Sequence, residues 1–274
     1  MAVLKTLLKL GISGVEALRH PKQGILQILP LSNNRYMRDV VEKYQLPQGI
    51  GTIDICDVLG EFEITVEPYS FLEGGSPVLD IALLKGLASK YSDCDFLEIG
   101  TWRGESIANV ASNAKYCVSV SLSDEQIKKQ GWTDDYIKTS RVFSKTIKNV
   151  HHVHGNSQTF DFKGLGRKFD IIFIDGSHSY DDVKKDSENA FRLLKNEKSI
   201  IVWHDYCRSP ERGIRWEILA AILDGTTPVN RQHLYRISNT LCAIFTNSKY
   251  QVEYPGFPAF PKSVFDVKIK AKKL

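Results

Sequence analysis

From Asp95 to Asp205 the chain repeats one unit: a short strand-like run ending in a glycine or a polar residue, followed by a charged stretch of helical period. The strand-like runs are DFLEIG (Asp95 to Gly100), YCVSVSL (Tyr116 to Leu122), NVHHVHG (Asn149 to Gly155), FDIIFID (Phe169 to Asp175) and KSIIVWHD (Lys198 to Asp205). Several are almost continuously apolar, as strands covered on both faces must be. Helical stretches alternate with them, Val78 to Tyr91 before the first, Gly104 to Asn113, Asp134 to Ile147 and Ser179 to Leu194 between them, and Pro210 to Leu223 after the last. Strands alternating with helices build βαβ units, hence a parallel sheet with helices on both faces. The rhythm then changes. His233 to Ile237, Ser-Asn-Thr and Leu241 to Asn247 read as a hairpin, so one strand must run against its neighbours. The expected fold is α/β: a seven-stranded sheet, five parallel strands plus a C-terminal antiparallel hairpin.

Open sheets of this kind bind ligands at the carboxyl ends of their strands. The first strand leads into EIGTWRGES (Glu98 to Ser106). Gly100 suits a tight turn and Gly104 a close backbone approach, a pattern shared by ligand loops and by plain strand–helix junctions. Glu98 is a carboxylate at a buried strand end, which needs a partner; a ligand cation or amine would serve. GNSQ (Gly155 to Gln158) is a polar turn that either hydrogen-bonds a ligand or caps a helix. Asp175 and His178 follow the fourth strand, and His204 and Asp205 close the fifth. If those strands are neighbours, Asp175 and Asp205 stand side by side, as ligands of a hard divalent cation such as Mg2+ do. His178 is then placed to act as a general base near neutral pH.

Composition excludes other classes. The excess of 36 basic over 32 acidic residues is slight and carries no clustered basic strip beyond the short terminal KIKAKKL, so a nucleic-acid partner is not expected. No apolar run of about 18 residues is present, which argues against membrane insertion. Five scattered cysteines without CxxC spacing point to a reducing, cytoplasmic setting rather than to disulfides or zinc. Residues 1–77 read as an N-terminal appendage broken by Pro21, Pro30 and Pro47, with a short strand at EFEITVEP and a turn at EGGSP. Leu4, Leu7, Leu8, Ile12, Val15 and Leu18 recur at helical spacing, as in a packing helix or the seam of a homodimer, with a membrane-surface helix as the alternative. Residues 78–247 form the main domain and 248–274 an extended tail, in which PGFPAFP packs on the body. His152 and His154 share a strand face and are read as strand-end histidines without a metal.

EIGTWRGES, GNSQ, FIDGSH and WHD, in this order at these strand ends, resemble the class I S-adenosylmethionine-dependent methyltransferases. The resemblance is closest to the metal-dependent small-molecule O-methyltransferases of the catechol and macrocin types, and covers about residues 78 to 247. It implies S-adenosyl-L-methionine as cofactor, with Glu98, Gly100, Thr101, Trp102, Gly104 and Ser106 around its methionine end. It implies Asn156, Ser157 and Gln158 at the adenine, and Asp175 at both cofactor and metal. Asp175, His204 and Asp205 would hold a divalent cation, with His204 where the family more often has an acid, and His178 would take the proton from a hydroxyl of a small-molecule acceptor. Ser121 stands where relatives carry a ribose-binding acid, with Asp124 and Glu125 a few residues on. Two alternatives stay open: a metal-independent methyltransferase, and a non-catalytic cofactor-binding or assembly module.

Overall fold

The computed structural model describes residues 35–273. The helix expected around Leu4 to Leu18 lies outside the described residues. The first described element, α1, spans residues 35–44. It is followed by β1 (Thr52–Ile53), α2 (Ile55–Leu59), α3 (Val78–Ala88), β2 (Asp95–Ile99), α4 (Glu105–Ala111) and β3 (Tyr116–Ser121). Then come α5 (Asp124–Lys129), α6 (Asp134–Thr139), β4 (Val150–His154), a 3-10 turn at Phe162–Leu165, β5 (Ile171–Ile174), α7 (Tyr180–Leu193) and β6 (Ile200–Trp203). The chain closes with α8 (Trp216–Asp224), α9 (Pro228–Arg231), β7 (Leu234–Ile237) and β8 (Ala243–Phe245).

The sheet has eight strands in the order β1-β7-β8-β6-β5-β2-β3-β4. β8 runs antiparallel to both β6 and β7, and all other pairings are parallel. The strand order reverses between β2 and β5, so a crevice opens where their carboxyl ends diverge from their connections. β5 and β6 are neighbours in register from Ile171↔Ile200 to Ile174↔Trp203, which puts Asp175 beside His204. Apolar side chains fill both faces. Ile99, Val120, Ile172, Ile174, Trp203 and Leu219 lie on one side, and Phe96, Ile107, Cys117, Phe173, Leu84 and Tyr235 on the other. This double cover is why these strands lack the polar alternation of a half-exposed sheet.

Several elements differ from the sequence reading. An eighth strand, β1, extends the sheet beyond the hairpin by pairing with β7, and Glu253 of the tail brackets Thr52 through two backbone hydrogen bonds of 2.8 and 2.9 Å. Two residues are too short for any periodicity to register. EFEITVEP forms no strand; its backbone is captured side-on by α4, where Asn109 binds the Glu67 N–H and the Pro68 carbonyl. The helix from Asp134 stops at Thr139, and Arg141 takes a positive φ of 59°. The helix expected from Pro210 starts only at Trp216, because Ser209 closes a turn on Arg212 and Gly213 has φ 82°. PGFPAFP is extended but not packed: Phe260 stands in solvent, and Phe257 is partly covered by the Arg212 guanidinium at 4.1 Å.

All five cysteines are free. No described helix is long and apolar enough to cross a membrane.

Candidate functional site

The end of β2 closes on itself. Gly100 has φ 91°, and a Cβ there would meet the Asp175 carbonyl and the Gly176 Cα, each at 2.4 Å. Glycine is therefore required for the β2 and β5 ends to touch. Glu98 is completely buried, and Thr101 and Ser106 donate to its two carboxylate oxygens at 2.5 and 2.6 Å. Burial raises its pKa to about 8 against those two hydrogen bonds. Two hydroxyls close by in the chain thus already meet the Glu98 carboxyl group. Thr101 also contacts Ser119 at 2.8 Å.

Trp102 and Gly104 likewise work inside the protein. The Trp102 ring stacks on Tyr136, which stacks on Trp132, and the Arg103 guanidinium lies over the Trp102 ring at 4.2 Å. Gly104 adopts φ 82° as the N-cap of α4, with Ser144 filling the space a Cβ would take. Arg103 and Glu105 bind the backbone of segment 70–73, Arg103 through the Leu72 and Glu73 carbonyls and Glu105 through the Ser70 N–H. This ties the stretch before α3 across the lip of the sheet, leaving Phe71 and Leu72 exposed.

Two expected cofactor positions differ from these. Ser121, the last residue of β3, is buried and its hydroxyl has no hydrogen-bond partner among the described residues. A buried orphan hydroxyl is unusual and suits a ligand that supplies the missing partner. In the turn after β4, Asn156 accepts from the Gln158 N–H, and Gln158 reaches Asp186 of α7 at 3.3 Å. Asp186 is buried, and burial raises its pKa to about 7 although Ser157 opposes the shift.

The ends of β5 and β6 are built differently. His204 is buried at the end of β6 between three carboxylates. Its Nε2 lies 3.0 Å from Asp80 Oδ2, and its Nδ1 lies 3.0 Å from Asp175 Oδ1 and 3.4 Å from Asp205 Oδ2. The Nδ1 contacts are close but not aligned as hydrogen bonds, so that atom is buried without a proper partner. Burial acts to lower the His204 pKa, but Asp175, Asp205 and Asp80 outweigh it and hold the ring well above its ordinary value. Asp205 takes φ 58°, a left-handed conformation that Asp tolerates better than most residues. It joins His178 Nε2 at 3.1 Å and Arg215 Nη1 at 3.0 Å. Burial would raise its pKa, but His204, His178 and Arg215 push it well below the carboxylate range. His178 is 43% exposed, facing solvent with one ring nitrogen held by Asp205. Ser76 donates to Asp175 at 3.3 Å.

Asp175, His204 and Asp205 are the group of metal-capable side chains among the described residues, with donor atoms within 4.8 Å of one another. They fit a divalent ion: two carboxylates, one imidazole and a buried nitrogen lacking an aligned partner. An ion there would displace the proton from Nδ1. Asp80, Ser76 and Arg215 complete the cluster, and the sequence reading missed all three. Asp80 had a signal, as the one acid in VLDIALLKGLA, where a buried charge requires a partner. Ser76 and Arg215 lie in polar loops and had none.

Residues 97–206 match the family model described as a methyltransferase domain. That stretch runs from within β2 to just past β6 and contains Glu98, Ser121, Asp175, His178, His204 and Asp205, but not Ser76, Asp80 or Arg215. The match is to a methyltransferase domain, in agreement with the class that the strand ends resemble. Among curated proteins it is 29% identical over 136 residues to Uncharacterized protein R132 of Acanthamoeba polyphaga mimivirus, across 47% of this chain. The chain covers 59% of that relative's length. Similar solved structures include the O-methyltransferase from Bacillus cereus in complex with SAH, 15% identical, TM-score 0.43, covering 70% of this chain and 95% of that one. Another is the O-methyltransferase TomG from Streptomyces achromogenes in complex with SAM, 14% identical, TM-score 0.43, covering 64% and 82%.

Proposed function

We propose that the protein moves a methyl group from S-adenosylmethionine to a hydroxyl oxygen of a small-molecule acceptor such as a sugar, a phenol or a secondary metabolite. The carrying observation is the convergence of Asp175, His178, His204 and Asp205 where β5 and β6 end side by side. The cofactor, when bound, supplies an activated methyl on a sulfonium. The acceptor oxygen would take that methyl as the carbon–sulfur bond broke, with S-adenosylhomocysteine as the leaving group, and His178 would receive the hydroxyl proton. His178 is suited to this because one ring nitrogen is held by Asp205 while the ring remains open to solvent. Ser121, with its unpartnered hydroxyl at the end of β3, is suited to hold the ribose. The turn at Asn156, Ser157 and Gln158 would border the adenine. Glu98, Thr101 and Ser106 then shape the methionine pocket from beneath, by fixing the loop and not by direct contact.

Asp175, His204 and Asp205 would hold the divalent cation. Such an ion lowers the pKa of an acceptor hydroxyl and fixes its direction of attack. A metal-independent transferase is the second reading, favoured by one observation: a protonated His204 and Arg215 already balance most of the charge of Asp80, Asp175 and Asp205.

The exposed Phe71 and Leu72, pinned over the lip through Arg103 and Glu105, are positioned to border the acceptor pocket, with residues 1–77 acting as cap or homodimer seam. The free cysteines favour a cytoplasmic setting. The test is methyl transfer from labelled cofactor to a panel of hydroxyl compounds, with and without chelator. Activity abolished by EDTA and restored by added ion supports the metal-assisted reading; full activity in excess EDTA selects the metal-independent one. Absence of S-adenosylhomocysteine binding by calorimetry removes both and leaves an assembly module.

A further inference from the structure

His204 is held from behind in a way that the domain's class does not specify. Asp80, from α3, is entirely buried and far from His204 in sequence. Its Oδ1 accepts the Leu241 N–H at 3.1 Å and its Oδ2 faces His204 Nε2 at 3.0 Å. Each carboxylate oxygen has its own donor, so the group cannot turn away, and an ionised carboxylate can only accept. While Asp80 is ionised, Nε2 donates to it, and in the neutral ring the lone pair then falls on Nδ1. That is the atom aimed between Asp175 and Asp205, buried and without an aligned partner. Metal-binding histidines characteristically donate their second ring N–H to a carboxylate, which fixes both tautomer and orientation. The separations of 3.0 and 3.4 Å from Nδ1 to the two carboxylate oxygens also match neighbouring ligands on one small ion, about 3 Å apart for bonds of about 2.1 Å.

The donor set decides which ion. Mg2+ favours oxygen ligands and keeps most of its waters, whereas imidazole suits the later first-row ions. We propose that Asp175, His204 and Asp205 form a site selective for an imidazole-accepting first-row transition ion, Fe2+, Co2+ or Zn2+ in class, over Mg2+, and that Asp80 is the positioning residue that keeps His204 Nδ1 available to it. This deepens the metal-assisted reading above and rests on it, but ion choice is measurable without methyl transfer.

The experiment is calorimetric titration of the full chain with Co2+, Zn2+ and Mg2+ in turn, with the visible spectrum of the Co2+ form recorded. Co2+ and Zn2+ are expected to bind at least tenfold more tightly than Mg2+. Asp80→Asn places an amide N–H against either Leu241 or His204, and is expected to weaken Co2+ binding about 10–100-fold. His204→Asp, which converts the set to all oxygen, is expected to lose the preference for Co2+ and to shift the Co2+ absorption. Equal or tighter binding of Mg2+ by the unaltered protein overturns the proposal, as does no binding of any ion, or an Asp80→Asn variant with unchanged Co2+ affinity. If Asp80→Asn does not fold by circular dichroism, the unaltered protein and His204→Asp decide the question. S-adenosylhomocysteine is titrated in parallel. Loss of that binding with ion selectivity intact removes the methyltransferase reading alone, and the reverse removes the ion proposal alone.

Discussion

Two strand ends of this sheet each carry an acid, and the structure uses them in opposite ways. At the end of β2, Glu98 is sealed in and met only by two hydroxyls, so burial outweighs their hydrogen bonds and favours its protonated form. At the end of β6, Asp205 meets two imidazoles and a guanidinium, which hold it ionised although it too is largely buried. Burial raises the pKa of both, and the neighbours decide the outcome. A carboxylate among hydroxyls becomes a neutral strut, and one among cations becomes a charged hub that can orient a base and hold a metal.

Asp205→Asn is the sharpest way to break the charged hub. Asn tolerates the left-handed backbone at φ 58°, so the change removes charge without adding strain. The substitution takes away one proposed metal ligand and the group that holds His178, so turnover should fall further than for any other single change. The measurement is kcat with S-adenosylhomocysteine affinity as control; an active variant would detach the hub from the chemistry. His178→Ala tests one spoke. Loss of the general base should cost about 10²–10⁴-fold in kcat. Ion binding at Asp175, His204 and Asp205 should persist in titration. An unchanged kcat would place the base elsewhere.

The neutral strut gives a prediction in stability. Glu98 holds its proton to about pH 8 when folded, against an ordinary value of 4.5. Between those values the folded chain binds more protons than the unfolded one, so this group makes stability fall as pH rises. Below pH 4.5 it contributes no slope. Glu98→Gln keeps an acceptor for Thr101 and can donate to Ser106, and it cannot ionise. Its unfolding free energy relative to the unaltered protein, read from denaturation at each pH, should rise steadily from pH 5 to pH 8, by a few kcal/mol at most, since each unit of pKa shift is worth about 1.4 kcal/mol. A difference that stays flat with pH would show that Glu98 ionises normally in the fold.

The contrast also explains what the sequence could tell. β2 through β6 and the hairpin were legible, because doubly covered strands need apolar runs and their connecting helices need polar faces. β1 was hidden by its two-residue length, and the start of α8 by Ser209 and Pro210, which look like a cap until Gly213 breaks the chain. Asp175, His178, His204 and Asp205 were legible as strand-end groups because β5 and β6 pair in register. Their roles depend on partners the sequence places far away. Asp80 is 124 positions from His204, and Arg215 arrives from the loop before α8. For Glu98 the partners Thr101 and Ser106 were in view, three and eight residues on. A hydroxyl three residues along still reads equally well as a ligand contact, so local sequence could not decide which way that carboxylate would be satisfied.

Ser121 tests whether the comparison extends to a third strand end. It is uncharged and buried like the strut, but it lacks the hydrogen-bond partner that the strut has. If its hydroxyl is reserved for the cofactor ribose, Ser121→Ala should weaken S-adenosylhomocysteine binding by the worth of one neutral hydrogen bond. That is about 0.5–1.5 kcal/mol, or roughly two- to twelvefold in Kd. The same substitution relieves an unsatisfied buried group in the free protein, so the ligand-free thermal midpoint should hold steady or rise. The two readouts therefore move in opposite directions. A variant with unchanged affinity and a raised midpoint would make Ser121 a plain packing flaw, and the cofactor would then have to find its ribose partner at Asp124 or Glu125.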